Sequence, residues 1–216
     1  MPVLTIWLKT IQAGNLTTAG STISANDLAM VQAALPFGSA ELKRYLRQII
    51  GVAGLGGSYS AEVKLEPNDD QIGGGDLLVY LTTSSLARAF ATSFNYTLPP
   101  THGPSGLTVN FPEGVVSEIY IPTIRDHGRD DTQRGKVLAN LAIHEIAHNK
   151  CCREPTIPDP NDYVHANGGG GVLAERLMPG TLHVDLNATN ISFMARRIGR
   201  QVPQLTSYLF SSRLGF

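Results

Sequence analysis

Residues 141–148 read Leu-Ala-Ile-His-Glu-Ile-Ala-His and constrain this chain more than any other stretch. On an α-helix, His144 and His148 lie one turn apart on the same face. Both imidazoles can then bind one metal ion with a bond length of about 2.0–2.1 Å, which is typical of Zn–N bonds. Glu145 follows His144 by about 100° of helix rotation, so its carboxylate can accept a proton from metal-bound water. The motif predicts a metal site, with Zn²⁺ as the favoured ion.

The residues around this motif predict that the helix is buried. Asp130, Asp131 and Thr132 offer an N-cap, and the two aspartates place negative charge at the helix start, where it interacts favourably with the helix dipole. The alternative interpretation is a core helix with incidental histidines. Apolar residues cover much of the remaining helix surface, namely Val137, Leu138, Leu141, Ile143, Ile146 and Ala147.

Composition is that of an ordinary globular protein. Hydrophobic residues make up 42% of the 216 residues, which is enough for one domain or for one domain with two subdomains. The formal net charge of −1 gives no sign of the excess of basic residues that binding to nucleic acid requires. No apolar run approaches the roughly 18 residues of a membrane span. The adjacent Cys151 and Cys152 exclude a disulfide framework.

The N-terminal residues lack a basic segment followed by a long apolar run, so we expect no signal peptide. The localisation is left open between the cytoplasm and export by a non-classical or dedicated route. The sequence carries no indication of the oligomeric state.

Hydrophobic periodicity predicts an α+β fold with five strands. The connection at residues 112–114 is short enough to make the last two strands an antiparallel hairpin. The third strand is nearly all apolar, which is typical of a central strand. The predicted strands are residues 3–11, 59–66, 76–82, 107–111 and 115–121.

Helices are predicted between and after these strands. A helix capped at Ser24 is expected to break at Pro36 and to resume with Ser39 as a second cap. The histidine helix is expected directly after the fifth strand. The other predicted helices are residues 86–94 and residues 189–202, the latter capped by Thr189 or Asn190.

This order of elements, together with the motif, resembles the metzincin clan of zinc peptidases. Residues 76–80, 89–92 and 106–110 are loosely similar to the leishmanolysin branch, in which an insertion separates the second and third zinc histidines. Met178, in Leu-Met-Pro-Gly, resembles the methionine turn beneath the metal. The resemblance covers roughly residues 76–180.

The resemblance implies a metzincin-like α+β fold with two subdomains. The upper one, residues 1–150, would hold a twisted five-stranded mixed sheet, a backing helix and the active-site helix. The lower one, residues 151–216, would hold the third ligand, the methionine turn and a closing helix.

The third metal ligand departs from the common metzincin pattern, which continues as His-x-x-Gly-x-x-His. Here Cys151 stands at the glycine position and Glu154 at the position of the histidine. Cys152 continues the histidine stripe, but positions i to i+8 of a straight helix span about 12 Å, which is too far for one ion. The ligand must then come from beyond a straight continuation of this helix.

His165 is the preferred third ligand. It follows a proline-rich surface loop at residues 155–162 and precedes a glycine-rich stretch, residues 168–171, where backbone can approach a metal closely. His102, His127 and His183 lack supporting context. The alternatives that stay open are Glu175, Glu154, Asp159 and Asp162.

The expected function is that of a zinc-dependent endopeptidase. Zinc-bound water attacks the peptide carbonyl with Glu145 as general base, and Glu145 then protonates the leaving amine. Tyr163, close to His165 in sequence, is a candidate for stabilising the oxyanion. The protein or peptide substrate is expected along an exposed sheet edge, which in metzincins is the fourth strand, here residues 107–111.

Two alternatives stand beside this expectation. One is a non-catalytic metzincin-like binding or structural module, in which a fourth protein ligand such as Cys152, after a helix break, closes a structural zinc site. The other is a toxin or assembly protease of narrow specificity delivered by another machine. The substrate alone would distinguish the latter from a general endopeptidase.

Overall fold

The protein is described by a computed structural model that covers residues 3–10, 23–52, 60–66, 69–73, 75–98, 105–154, 156–157, 160–174 and 185–206. Its centre is a five-stranded sheet of order β2-β1-β3-β5-β4. All neighbouring strands are parallel except β4 and β5, which form the antiparallel hairpin. The strands are β1 (Val3–Thr10), β2 (Ser60–Leu65), β3 (Leu77–Thr82), β4 (Gly106–Phe111) and β5 (Gly114–Tyr120). The predicted α+β class, the five strands, the hairpin and the central third strand are confirmed.

Helices cover both faces of the sheet. Alternate residues of β3 enter opposite cores: Leu77 and Val79 pack with α1 and α4, whereas Leu78 and Tyr80 pack with α2. β3 is therefore buried along its whole length. The helices are α1 (Ala25–Val52), α2 (Leu86–Phe94), α3 (Ile121–His127), α4 (Asp131–Cys151), α5 (Pro160–Gly168) and α6 (Ala188–Ala195).

The long helix α1 is continuous, so the break predicted at Pro36 is wrong. Its predicted start is confirmed, since the Asp27 amide donates to Ser24 Oγ at 3.1 Å. A proline inside a helix costs about 3 kcal/mol. Here the helix packs tightly on α4, because a Cβ added to Gly135 would lie only 2.5 Å from Phe37 Cβ. This packing favours helical geometry through the proline.

Three further predictions differ from the structure. The strand expected to end at residue 121 ends at Tyr120. The histidine helix does not follow this strand directly as expected, because α3 begins at Ile121 with a proline in its first turn, where φ is pre-set for a helix. The loop expected at residues 155–162 includes the start of α5. His165 is therefore helical.

The C-terminal helix α6 ends at Ala195 rather than at residue 202. The chain leaves it through a turn in which Gly199 has a φ of 79°. Its N-cap is Asn187, whose side chain and that of Asn190 bond reciprocally to each other's backbone amides. The predicted cap at Thr189 or Asn190 is wrong, because the reciprocal pair satisfies two amides at once.

The described residues beyond position 150 share the main core with the preceding part of the chain. Val164, Leu173, Phe193 and Met194 belong to the cluster that also contains the apolar face of α4. The division into subdomains at residue 150 stays a prediction, and the methionine turn at Met178 lies outside the described residues. No helix in the described ranges is both long and apolar enough to span a membrane.

Candidate metal centre

Helix α4 presents the first two histidines. Asp130 caps it, accepting a hydrogen bond from the Gln133 amide at 2.8 Å, as the sequence predicts. Nearly every residue from Val137 to the end of α4 is buried, so this helix crosses the protein interior. The imidazoles of His144 and His148 lie with ring centroids 4.9 Å apart.

Helix α5 brings His165 to the same point. Its Nε2 atom lies 3.4 Å from His144 Nε2, and His148 Nε2 lies 3.1 Å from His144 Nε2. In a tetrahedral site with Zn–N bonds of about 2.0–2.1 Å, two ligand nitrogens are about 3.3–3.4 Å apart. One ligand atom from each histidine lies within 4.8 Å of the others. These three histidines could therefore hold a metal ion.

A backbone carbonyl sets the orientation of His144. Its Nδ1 lies 2.7 Å from the Val172 oxygen. Because a carbonyl only accepts, Nδ1 carries the proton and Nε2 offers its lone pair to the centre of the triad. Burial lowers the pKa of His144 to about 4. The ring is thus in the neutral form that binds a metal.

The glycine-rich stretch allows this carbonyl to approach. Gly169, Gly170 and Gly171 have φ values of 64°, 86° and 60°, a region that side chains with a Cβ rarely adopt. A Cβ on Gly171 would also lie 2.7 Å from Asn190 Oδ1. The sequence predicts that backbone of residues 168–171 approaches the site, whereas the described contact is made by the Val172 carbonyl with His144.

The carboxylate of Glu145 lies between α4 and the edge strand β4. Thr108 Oγ1 donates to Glu145 Oε2 at 2.8 Å. A Cβ on Gly106 would lie 2.6 Å from Glu145 Oε1, so a side chain there would collide with the carboxylate. Burial raises the pKa of Glu145 to about 8, and the bond from Thr108 opposes this rise. A cation held by the histidines would favour the ionised form.

Glu154 makes ion pairs away from the triad. Its carboxylate lies 3.4 Å from Arg197 Nη2 and also pairs closely with Arg200. Cys151 ends α4 and Cys152 caps it, both buried. Within the described ranges, none of these side chains joins the three histidines.

Most of the other candidate metal ligands cannot be placed relative to the triad. Glu175, Asp159, His102, His183 and the side chain of Asp162 lie outside the described residues. His127 is exposed at the end of α3.

Tyr163 makes its described contacts with α6 and the residues after it. Two residues before His165 on α5, it is rotated from it by about 200°. Its ring centroid lies 5.8 Å from that of Phe193, and the Arg197 guanidinium lies 5.1 Å from it. Its oxyanion role stays a prediction to which these contacts lend no support.

Comparisons with protein families, with curated proteins and with solved structures find no match. The resemblance to metzincins therefore stays a hypothesis that rests on the motif and on the order of elements.

Sequence reasoning missed Gly106, Thr108 and the Val172 carbonyl. Each reaches the site through a contact more than 25 residues away along the chain. Thr108 lies at an ordinary polar position of an alternating strand, and no local pattern distinguishes it. The only available signal was the glycine-rich stretch before Val172.

Proposed function

We propose that the protein is a zinc-dependent endopeptidase of the metzincin type, in which Glu145 acts as general base. The observation that carries this proposal is the approach of His144, His148 and His165 to within bonding distance of one ion, with the Glu145 carboxylate on the same helix turn. A core helix with incidental histidines gives no reason for a third imidazole to join the pair.

Zn²⁺ suits this set of ligands. Three imidazoles, at least one of them oriented by a backbone carbonyl, are typical of zinc sites. When bound, the ion would supply Lewis-acid chemistry, lowering the pKa of water and polarising a carbonyl. No fourth ligating side chain joins the triad within the described ranges, which favours an open catalytic site over a closed structural one.

Glu145 supplies the proton chemistry. It neighbours a metal ligand and is held by Thr108, so it can take a proton from the attacking water and pass it to the leaving amine. A peptide is the favoured substrate because β4 lies at the edge of the sheet that the described residues form, and an extended chain can add to such an edge. Arg153 donates to the carbonyl oxygens of Phe111 and Pro112. We therefore expect the peptide to pair with the opposite half of β4, beside Gly106 and Thr108.

Substitution of Glu145 tests the proposal. Glu145→Gln keeps the side-chain shape and removes the base, so we expect zinc content near one equivalent by elemental analysis and no cleavage of a broad peptide library. The matched control is His127→Ala, which removes an exposed histidine remote from the triad and should leave both properties unchanged. Cleavage by Glu145→Gln at the rate of the unaltered protein would refute the endopeptidase assignment.

A non-catalytic zinc-binding module is the second candidate, and the depth of the site favours it. His144, Glu145 and His148 are only 8%, 6% and 5% exposed. Such burial limits access of a substrate carbonyl. Stoichiometric zinc in the unaltered protein, with no cleavage of any peptide, would favour the module.

A further inference from the structure

A chain of buried polar side chains leads from Glu145 across β4 and β5 and back to α4. Thr108 Oγ1 lies 2.8 Å from Glu145 Oε2 and 3.0 Å from Ser117 Oγ. Ser117 Oγ in turn lies 2.9 Å from Asn149 Nδ2. Ser117 and Asn149 are fully buried and Thr108 nearly so. Several adjacent buried polar side chains destabilise the folded state unless each of their hydrogen bonds is formed.

The fold places these residues in one line. Thr108 and Ser117 are direct partners in the register of β4 and β5. Glu145 and Asn149 are four residues apart on α4 and share one face of the helix. Thr108 and Ser117 therefore connect two side chains on one turn of α4, and one of these is the carboxylate proposed as general base.

The backbone fixes the orientation of Gln204, the residue at the far end of this chain. The amide of Leu78 donates to Gln204 Oε1 at 3.3 Å, and Gln204 Nε2 donates to the Val202 carbonyl at 2.7 Å. An amide N–H can only donate and a carbonyl can only accept. The oxygen and nitrogen of the Gln204 side chain are thus distinguished without ambiguity.

Gln204 then orients Asn149. The two side-chain amides pair reciprocally, at 3.0 Å from Asn149 Nδ2 to Gln204 Oε1 and at 3.2 Å from Gln204 Nε2 to Asn149 Oδ1. This leaves the second hydrogen of Asn149 Nδ2 for Ser117. Asn149 is therefore a donor toward the strand pair.

The remaining hydrogens follow in order. Ser117 accepts from Asn149, so its own hydrogen is available for Thr108. Thr108 has two acceptors on Glu145, the carboxylate at 2.8 Å and the main-chain oxygen at 3.1 Å. Every hydroxyl then donates toward Glu145, and donor chains of one direction strengthen each bond.

We propose that Asn149, Ser117 and Thr108 are positioning residues that hold the Glu145 carboxylate beside the metal site, with Gln204 setting the direction of the chain. This inference rests on the proposed function. Gln204 lies in the C-terminal segment, which pairs with β5. The residues on either side of Gln204, Pro203 and Leu205, form backbone hydrogen bonds with Val115. The docking of that segment thus orders the general base.

The test uses Thr108→Val, Thr108→Ser and Asn149→Asp in the full-length chain. Valine removes the hydroxyl but keeps the shape, whereas serine keeps the hydroxyl. Aspartate has no N–H, so Ser117 must donate to residue 149 and the direction of the chain reverses. The control is Thr92→Val on α2, whose exposed hydroxyl donates to the Arg88 carbonyl of the same helix.

We expect Thr108→Val and Asn149→Asp to lower kcat about 10- to 100-fold with little change in KM, since a small displacement of a catalytic group has that effect. The double variant should be no slower than Thr108→Val alone. Thr108→Ser should restore kcat, and zinc content should stay near one equivalent. Equal kcat in Thr108→Val and the unaltered protein would overturn the proposal.

Crystal structures of the zinc-free variants provide a readout that does not depend on activity. We expect the Glu145 carboxylate to leave its position in Thr108→Val and to keep it in Thr108→Ser. An unmoved carboxylate in Thr108→Val refutes the positioning role even if no peptide is ever cleaved. Absence of cleavage with a displaced carboxylate instead counts against the proposed function alone.

Discussion

At the scale of single residues, the proposed metal centre depends on which residue joins His144 and His148 as the candidate third ligand. His165 and Glu154 were both open from the sequence, and the structure separates them by their partners. His165 Nε2 faces His144 Nε2 at 3.4 Å, whereas Glu154 pairs with Arg197 and Arg200. Because the Glu154 carboxylate already pairs with two guanidinium groups, its oxygens are poorly placed to bind a metal as well.

Removing each candidate should therefore affect different properties. We expect His165→Ala to weaken zinc affinity by more than about 10- to 100-fold, the loss typical of changing a residue that only orients a metal ligand. Glu154→Gln should leave zinc affinity unchanged and lower the free energy of unfolding, because it leaves the buried Arg197 with a weaker partner. Competition with a chromogenic chelator measures the affinity, and the reverse pattern would make Glu154 the ligand.

Glu118 is a second buried acid, and it should make stability depend on pH. Burial raises the pKa of this carboxyl to about 7, against hydrogen bonds from Ser85, Tyr120 and the amides of Leu86 and Ala87. The folded state then binds the proton more tightly than the unfolded state, whose carboxyl has a pKa near 4.5. The stabilisation by the bound proton is complete below about pH 4.5 and is lost as the pH rises through 7.

Urea unfolding at pH 5 and pH 8 can isolate this contribution. We expect the unaltered protein to lose on the order of 3 kcal/mol more between these pH values than Glu118→Gln, which cannot titrate. Identical pH dependence in the two proteins would show that the Glu118 carboxyl has the same pKa in the folded and unfolded states.

At the scale of elements, the contact between α1 and α4 holds the helix that bears His144 and His148 in place. The two helices approach at glycines, since a Cβ on Gly38 would lie 2.9 Å from Leu138 Cδ2 and one on Gly135 would lie 2.7 Å from the Gly38 nitrogen. Backbone atoms cannot yield as a flexible side chain can. This contact fixes α4 nine residues before His144.

Glycine-to-alanine substitutions test this packing, because alanine in a helix interior normally stabilises by about 1 kcal/mol. We expect Gly135→Ala instead to lower the free energy of unfolding by about 1–3 kcal/mol through overpacking. Gly51→Ala near the end of α1, where an added Cβ meets nothing within 4 Å, is the matched control and should be neutral or stabilising. Stabilisation by Gly135→Ala would mean that the helices are less closely packed.

At the scale of the whole molecule, the candidate metal site joins parts of the chain that are distant in sequence. α4 supplies two histidines, α5 the third, the turn after α5 the Val172 carbonyl, and β4 the hydroxyl on Glu145. A bound ion would link α4 to α5 directly. Metal binding should therefore stabilise the folded state as a unit.

Thermal unfolding can detect this linkage. An ion at 100 times its Kd should add about 2.7 kcal/mol, so we expect Zn²⁺ to raise Tm by several degrees and a chelator to reverse the change. Mg²⁺, which prefers oxygen ligands, should have no effect. An equal rise in His165→Ala would show that zinc acts elsewhere on the protein.

The sequence by itself determined the features that repeat locally. Alternation in residues 107–111 and the short connection after them gave the β4–β5 hairpin, the apolar run in residues 76–82 gave the central strand, and the spacing of His144 and His148 gave the face of α4. Each follows from a period of two or 3.6 residues, which neighbouring residues alone set. The helix period also excluded Cys152 as the third ligand on a straight α4, but it left His165 preferred beside open alternatives.

Only the tertiary structure decided which distant groups meet. In the packed fold α1 continues as a helix through Pro36, and the segment that contains His165 is also helical. Thr108 contacts Glu145, and the Val172 carbonyl contacts His144. These outcomes depend on packing between elements far apart in the chain, and no local pattern records that packing. A threonine on a strand has the same local environment whether its hydroxyl faces solvent or a buried carboxylate, so only the packed fold distinguishes the two.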